Sequence, residues 1–273
     1  MRRIKVVKDF DFYIEEYLSY CRSRKLRPKT MQSYEQTLRL FERWCDDSNG
    51  IKEPSEATES IIRQYICDLQ ERGKYTLYSG DVEKARNYPE RRRDYRQEIS
   101  VTTINNYIRN LSAFYGWFSY EVNKRNPMEK IKQLRNERKP QEYLTDEEIH
   151  RLTHSLDISY FSEHRDYMIM MLLLDTGMRI GECLMIEVAD IDMNERVITL
   201  PAENTKGRKT RSVFFSVKTT RMLQRWLRFK DRYSDSPLLF HVKRGLPLQI
   251  SVFESNLRKY LLRAGIDNNI LDV

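Results

Sequence analysis

The chain has 273 residues, with 48 Lys and Arg against 40 Asp and Glu, a formal charge of +8. That length suggests two domains of ordinary size, and the basic balance suits a partner rich in phosphates or an anionic surface. The longest purely apolar run, Met168 to Leu174, falls well short of the ~20 residues that cross a bilayer, and the basic N-terminus lacks the apolar core of a secretory signal.

Helical periodicity dominates the first half. "DFDFYIEEYLSYCRSRK" places Phe10, Ile14, Tyr17, Leu18 and Cys21 on one face. A second helix is expected after Pro28, with Thr30 as N-cap and Tyr34, Leu38, Phe41, Trp44 and Cys45 inward. Thr58 caps a third that stops at Gly73, and a fourth buries Ile104, Ile108, Leu111, Tyr115 and Phe118. Four such helices make a small bundle. Between the third and fourth, residues 74–99 are polar and charged without a sustained apolar period, so a long inserted loop is expected, ordered in part only on a partner. Residues 128–142 are basic and close to two prolines, as a linker and domain boundary should be.

The second half opens on a capping box, Thr145 with Glu148. The helix that follows runs into "LLLDTGMRIGECLMI", where Arg179 and Glu182 interrupt an apolar stretch. "RVITL" and "RSVFF" read as strands of a hairpin whose tip is "PAENTKGRKT". "TTRMLQRWLRFKDRY" returns to helix, "SPLLFH" is a short strand candidate, and Ser251 with Glu254 forms a second capping box in a last helix ending at Gly265. The whole reads as mainly α, with an α+β second domain holding a small antiparallel sheet.

Cys21, Cys45, Cys67 and Cys183 lie scattered among helices without a C-x-x-C pair, which reads as buried thiols in a reducing cytoplasm. His150 and His154 stand one turn apart near Glu147 but lack a third ligand at convincing spacing, so an exposed helix face is the expected reading and neither metal nor cofactor is. Taken alone, Arg179 and Glu182 would make an ordinary i,i+3 surface pair, and Lys206 with Arg208, Lys209 and Arg211 an undedicated basic turn.

In combination these residues are more specific. A helix, then T-G-M-R-I-G-E, then a hairpin with T-K-G-R-K-T-R at its tip, resembles the tyrosine recombinases, the phage integrase and Xer group, and the likeness covers nearly the whole chain. The resemblance implies a core-binding domain of the SAM-like, four-helix kind over residues 1–127 with the insert at 74–99, a linker at 128–142, and a catalytic domain over 143–273. It puts the family's first catalytic arginine on Arg179, its acidic support on Glu182 and its hairpin lysine on Lys206. The chemistry suits these residues. A guanidinium can donate two hydrogen bonds to the non-bridging oxygens of a phosphodiester under attack, and a lysine can protonate the leaving 5′ oxygen.

Members of that family also carry an H-x-x-R cluster and a nucleophilic tyrosine further on. Neither is found after Gly265, and Tyr260 is expected to be a packing residue. The expectation is therefore a chain truncated before the second catalytic box, binding double-stranded DNA without cleaving it, a monomer alone although full-length relatives act in a tetrameric synapse. The alternatives are a site occupant that regulates a complete recombinase, or a metal-dependent nuclease using Asp190, Asp192 and the histidines. For DNA contact the expected residues are Arg22, Lys25, Arg27, Lys29, Thr30 and Ser33 at the start of the second helix, Thr102, Thr103, Asn105, Asn106 and Arg109 opening the fourth, Lys132 and Arg135 in the linker, and Lys209 and Arg211 on the hairpin. Asn105 and Asn106 would otherwise be solvated helix positions. Lys130, Arg138 and Lys139 would complete a basic linker that lets two domains close on a duplex as a C-shaped clamp.

Overall fold

Asp9 accepts the Phe12 amide at 3.0 Å and starts helix α1, Phe10–Ser23, whose apolar stripe Phe10, Ile14, Tyr17, Leu18 and Cys21 is buried as its spacing predicts. The computed structural model describes residues 8–78, 88–137 and 143–267. The middle of the expected insert and the linker residues Arg138 and Lys139 lie outside the described residues. The chain divides into two compact units, Met1–Arg138 and Lys139–Val273.

In the first unit α2 (Pro28–Asn49), α3 (Glu59–Glu71) and α4 (Val101–Glu121) complete the bundle with α1. Thr58 and Ser100 cap α3 and α4 with their side chains. Thr30 does not cap α2. Pro28 occupies the first turn and Arg27 is the N-cap, because a proline needs no amide partner there and already has helical φ. Gly50, at φ 63°, ends α2 in the left-handed conformation that a residue with Cβ adopts at a cost. Phe41 anchors the core through edge contacts with Phe10, Tyr65 and Tyr115. Cys67 is exposed, against expectation, while Cys21, Cys45 and Cys183 are buried.

The described ends of the insert are structured against this bundle. Gly73 pairs with Glu98 as an antiparallel bridge, the Lys74 amide donates to Gln97 O at 2.8 Å, and the Arg96 amide donates to Lys74 O at 3.0 Å. A Cβ on Gly73 would fall 2.4 Å from Arg96 Cα, so glycine is what lets the two backbones touch. Pro89 and Ile99 are buried, and the Arg92 guanidinium lies 4.3 Å from the centre of the Tyr75 ring.

The second unit begins with α5, Asp146–His154, and the capping box of Thr145 and Glu148 is formed. Helix α6, Phe161–Thr176, buries Met168, Ile169, Met170 and Leu172. After the one-turn α7, Ile180–Cys183, the sheet has order β1-β2-β3 with both neighbours antiparallel: Ile191–Asp192, Val197–Leu200 and Arg211–Phe214. The hairpin register pairs Val197 with Phe214 and Leu200 with Arg211. Helices α8, Val217–Lys230, and α9, Ile250–Arg263, follow.

Two expectations fail here. "SPLLFH" makes only isolated bridges, Glu187 with Leu238 and His241 with Pro247, its backbone being drawn into the core where Leu239 O accepts the Trp226 indole at 2.9 Å. Ser251 does not cap the last helix, whose N-cap is Gln249, two residues earlier and without a side-chain cap. Deep in this unit Arg165 and Asp166 form a buried ion pair at 2.7 Å, and Asp166 also accepts from Asn256 and the Tyr260 hydroxyl, each at 2.9 Å. Tyr260 is thus a buried link between α9 and α6. Among the described residues no helix is long and apolar enough to cross a membrane.

Candidate functional site

Gly177, at φ 63°, stops α6 by donating its amide to Leu173 O, and the chain turns so that Arg179 becomes the N-cap of α7. The turn is tied down: Thr176 Oγ1 donates to Leu172 O at 2.7 Å, and Asp175 accepts the Ser216 amide at 2.7 Å. Arg179 and Glu182 therefore do not form a simple pair along a helix. The Arg179 amide donates to Glu182 Oε2 at 3.0 Å, and its Nη1 donates to Oε1 at 3.2 Å. The Glu182 side chain is 2% exposed and that of Arg179 64%. A buried carboxylate thus holds a guanidinium whose outer edge faces solvent.

The same carboxylate takes a second cation. Arg211 Nη2, at the start of β3, lies 2.6 Å from Glu182 Oε2. Burial alone would raise the Glu182 pKa, but the Arg179 amide and the Arg211 guanidinium outweigh it and hold the group below the usual carboxylate range. Arg211 was expected on DNA, and in the structure one edge of its guanidinium is bonded to Glu182 while the side chain stays 39% exposed. Periodicity gave no sign of this pairing, because the two residues belong to different elements 29 positions apart.

Lys206 and Lys209 are exposed on the hairpin tip. Thr205 is buried among them, bonded to Ala202 O at 3.1 Å and to Lys209 O at 2.9 Å, and it accepts the Lys209 amide at 3.1 Å. Arg211, five residues after Lys206, ties this hairpin to the turn that carries Arg179. Asp190 and Asp192 are used locally: Asp190 accepts the Glu187 amide, and Asp192 accepts those of Asn194 and Glu195, each at 2.9 Å. His150 and His154 stack on each other at an exposed helix face.

In the first unit the polar stripes of α2 and α4 meet. Asn110 Nδ2 donates to Ser33 Oγ at 3.1 Å and to Thr37 Oγ1 at 2.8 Å. Around that junction Lys29, Thr30, Ser33, Thr102, Asn106 and Arg109 are exposed, with Asn106 and Arg109 bonded to each other. Thr103 is half-buried and shares a bond with Ser100 in the helix cap. Arg22 is exposed in the last turn of α1, Lys25 is exposed in the turn before α2 with φ 55°, and Arg27 is half-buried. Lys132 and Arg135 are exposed beyond α4.

Asn105 contradicts its expected role. It is 7% exposed, and its amide turns inward to bond the Leu134 backbone with both Nδ2 and Oδ1, rather than outward where a base edge would be met. The sign was in the spacing: position 105 falls one turn from Val101 and three residues before Ile108, on the apolar face. Asn110, which joins the two stripes, carries no local signal of that role, because its partners lie on another helix 73 and 77 positions away.

Models of one family match both units: the N-terminal SAM-like domain of phage integrases over residues 13–124, and the phage integrase family over 142–271. The tyrosine recombinase XerC of Caldanaerobacter subterraneus is 25% identical over 262 residues, covering 93% of this chain and 69% of that protein. XerA of Saccharolobus solfataricus is 29% identical over 180 residues, covering 66% and 52%. Among solved structures, a lambda integrase dimer bound to a COC′ core site superposes with TM-score 0.67 at 12% identity, covering 95% of this chain and 82% of that one. XerH bound to a difH substrate in a pre-cleavage complex gives 0.61 at 16%, covering 94% and 69%.

Proposed function

This chain belongs to the phage integrase family of tyrosine recombinases, and on that premise we propose that it binds double-stranded DNA and that Arg179 clamps a phosphate of the strand to be exchanged. The observation that carries the proposal is the two-arginine carboxylate. Glu182 fixes Arg179 with its solvent-facing edge available, and fixes the hairpin bearing Lys206 through Arg211. A guanidinium so held can neutralise charge that gathers on the non-bridging oxygens as a phosphodiester is attacked, without reorganising at that moment. Lys206 is the group proposed to protonate the departing 5′ oxygen, a step worth roughly 10²–10⁴ in rate. The residues proposed for backbone contact are those exposed around the junction of α2 and α4, with Lys132, Arg135 and Lys209 beyond it. The process served is recombination of a mobile element or replicon, assembled in the complete enzymes as a synaptic tetramer.

For a polypeptide of these 273 residues the proposal is binding without strand cleavage. Tyr233 and Tyr260 are the tyrosines that follow the hairpin in this sequence. Tyr260 is buried on Asp166, and Tyr233 packs on Phe161 with ring centres 4.8 Å apart. Tyr260 is not offered to a phosphate, and Tyr233, although exposed, has its ring held against Phe161 and Lys243, so no phosphotyrosine bond is expected and the polypeptide would occupy a DNA site without cutting it. Incubation with a nicked suicide duplex tests the point. The expected result is a salt-sensitive gel shift, weakened by Arg179→Ala, with no product that survives denaturation. A denaturation-resistant adduct would overturn the binding-only reading, and Mg²⁺-dependent nicking that survives Arg179→Ala would favour a nuclease.

A further inference from the structure

The segment that follows α4 runs back along that helix. Met128 is buried in the first core, and Ile131 and Leu134 pack against it. Ile131 and Gln133 face Ile108, Arg109 and Ser112 across a shallow cleft. The fastening is at Asn105. Its Nδ2 donates to Leu134 O at 3.0 Å and its Oδ1 accepts the Leu134 amide at 2.8 Å, so one side-chain amide supplies the pair of bonds that a neighbouring strand would give. A second tie lies three residues earlier on α4, where Thr102 Oγ1 accepts Asn136 Nδ2 at 3.1 Å.

Lys132 and Arg135 alternate with Ile131 and Leu134 and are exposed. The segment belongs to no helix or strand. Without a fixed backbone, two long cationic side chains would give up ordering entropy on meeting phosphates, and much of their attraction would be cancelled.

We infer that Asn105 is a positioning residue for DNA binding, gripping the Leu134 main chain so that Lys132 and Arg135 are held in a row beside α4, spaced to neutralise backbone phosphates. The inference rests on the reading that the first unit binds DNA through its phosphates. A buried amide with both ends bonded to main chain also explains why an asparagine stands on an apolar helix face, since its polar atoms are not left unpaired there.

The test is binding of the full chain to an arbitrary-sequence duplex, read by fluorescence anisotropy over a range of salt. Two phosphate contacts account for a slope of about 1.8 in log affinity against log salt, or roughly a tenfold change in affinity across a fourfold salt range. Lys132→Gln combined with Arg135→Gln should remove that much slope and set the reference. Asn105→Ala should remove the same slope, and adding it to the two glutamines should remove no more. Asn105→Asp keeps the acceptor for the Leu134 amide and loses the donor to Leu134 O, so it should fall between Asn105→Ala and the native chain. It carries the test if the alanine variant fails to fold. Full native slope in either folded Asn105 variant, or a loss that adds to that of the two glutamines, would overturn the inference while leaving DNA binding intact. A native chain with flat salt dependence would instead sink the DNA-binding reading and this inference with it.

Discussion

Arg211 Nη2 sits 2.6 Å from Glu182 Oε2, and Glu182 is buried while Arg211 is partly exposed. Loss of the carboxylate should therefore cost more than loss of a guanidinium. Glu182→Gln removes the charge that answers both arginines, and the expected fall in unfolding free energy is about 1–3 kcal/mol. Arg179→Ala removes only a largely exposed cation from its pair, worth about 0–1 kcal/mol. Urea unfolding of the two variants checks the order, and equal losses would show that the carboxylate is not the centre of the cluster.

The pH dependence should come from two histidines. Burial holds His164 below its usual pKa, and burial with the Lys230 and Arg165 charges does the same for His241. Each has a buried ring nitrogen without a hydrogen-bond partner. Both therefore bind a proton less readily folded than unfolded, so their contribution is intact above about pH 6.5 and is lost as pH falls below it, by at most about 1.4 kcal/mol per histidine per pH unit. The thermal midpoint should fall between about pH 7 and about pH 5.5, and His164→Phe should flatten that fall. Glu182 acts lower: its depressed pKa gives stability that is full above the ordinary carboxylate range and lost as pH drops through its folded value.

Two glycines should respond in opposite directions. Gly73→Ala would set a Cβ within 2.4–2.6 Å of the Arg96 backbone, which cannot yield as a side chain tip can, and the expected cost is about 1–3 kcal/mol or more. Gly116 sits inside α4 with nothing within 4 Å of an added Cβ, and alanine there should stabilise by about 0.5–1 kcal/mol. Thermal melts of the two single variants decide the sign at each site.

Thr205→Val should loosen the hairpin tip while sparing the core. The hydroxyl is bonded to Ala202 O, Lys209 O and the Lys209 amide, and valine keeps the shape without those bonds, at an expected cost of about 1–3 kcal/mol. Faster hydrogen exchange at the Lys209 amide, with the exchange of α6 and α8 unchanged, is the expected signature. Unchanged protection at Lys209 would mean that the tip is held by other contacts.

Much of the architecture was legible in the spacing of apolar residues. The stripes of α1, α2 and α4, the Thr58 and Thr145 caps, and the β2–β3 hairpin all express local chemistry, period 3.6 or period 2 and a side-chain oxygen near a free amide. The failures have a common source, which is that long-range partners leave little trace in local spacing. Arg211 reads as one more cation on a basic turn until the Glu182 carboxylate is seen beneath it. Asn105 shows its place on the apolar face by its spacing from Val101 and Ile108, but nothing local shows that the Leu134 main chain is what it bonds. Gly73 was legible as a stop, but its contact with Arg96, 23 positions on, was not.

That contact makes the insert a loop drawn shut at its neck. Gly73 with Glu98 and Lys74 with Gln97 close it where it leaves the bundle, so the ends of α3 and α4 receive the same entry and exit whatever lies between. Such a neck is a natural graft point. An exchange of the stretch inside it with a relative's should therefore yield a chimera whose four helices keep their packing, read as a bundle that melts close to the parent's.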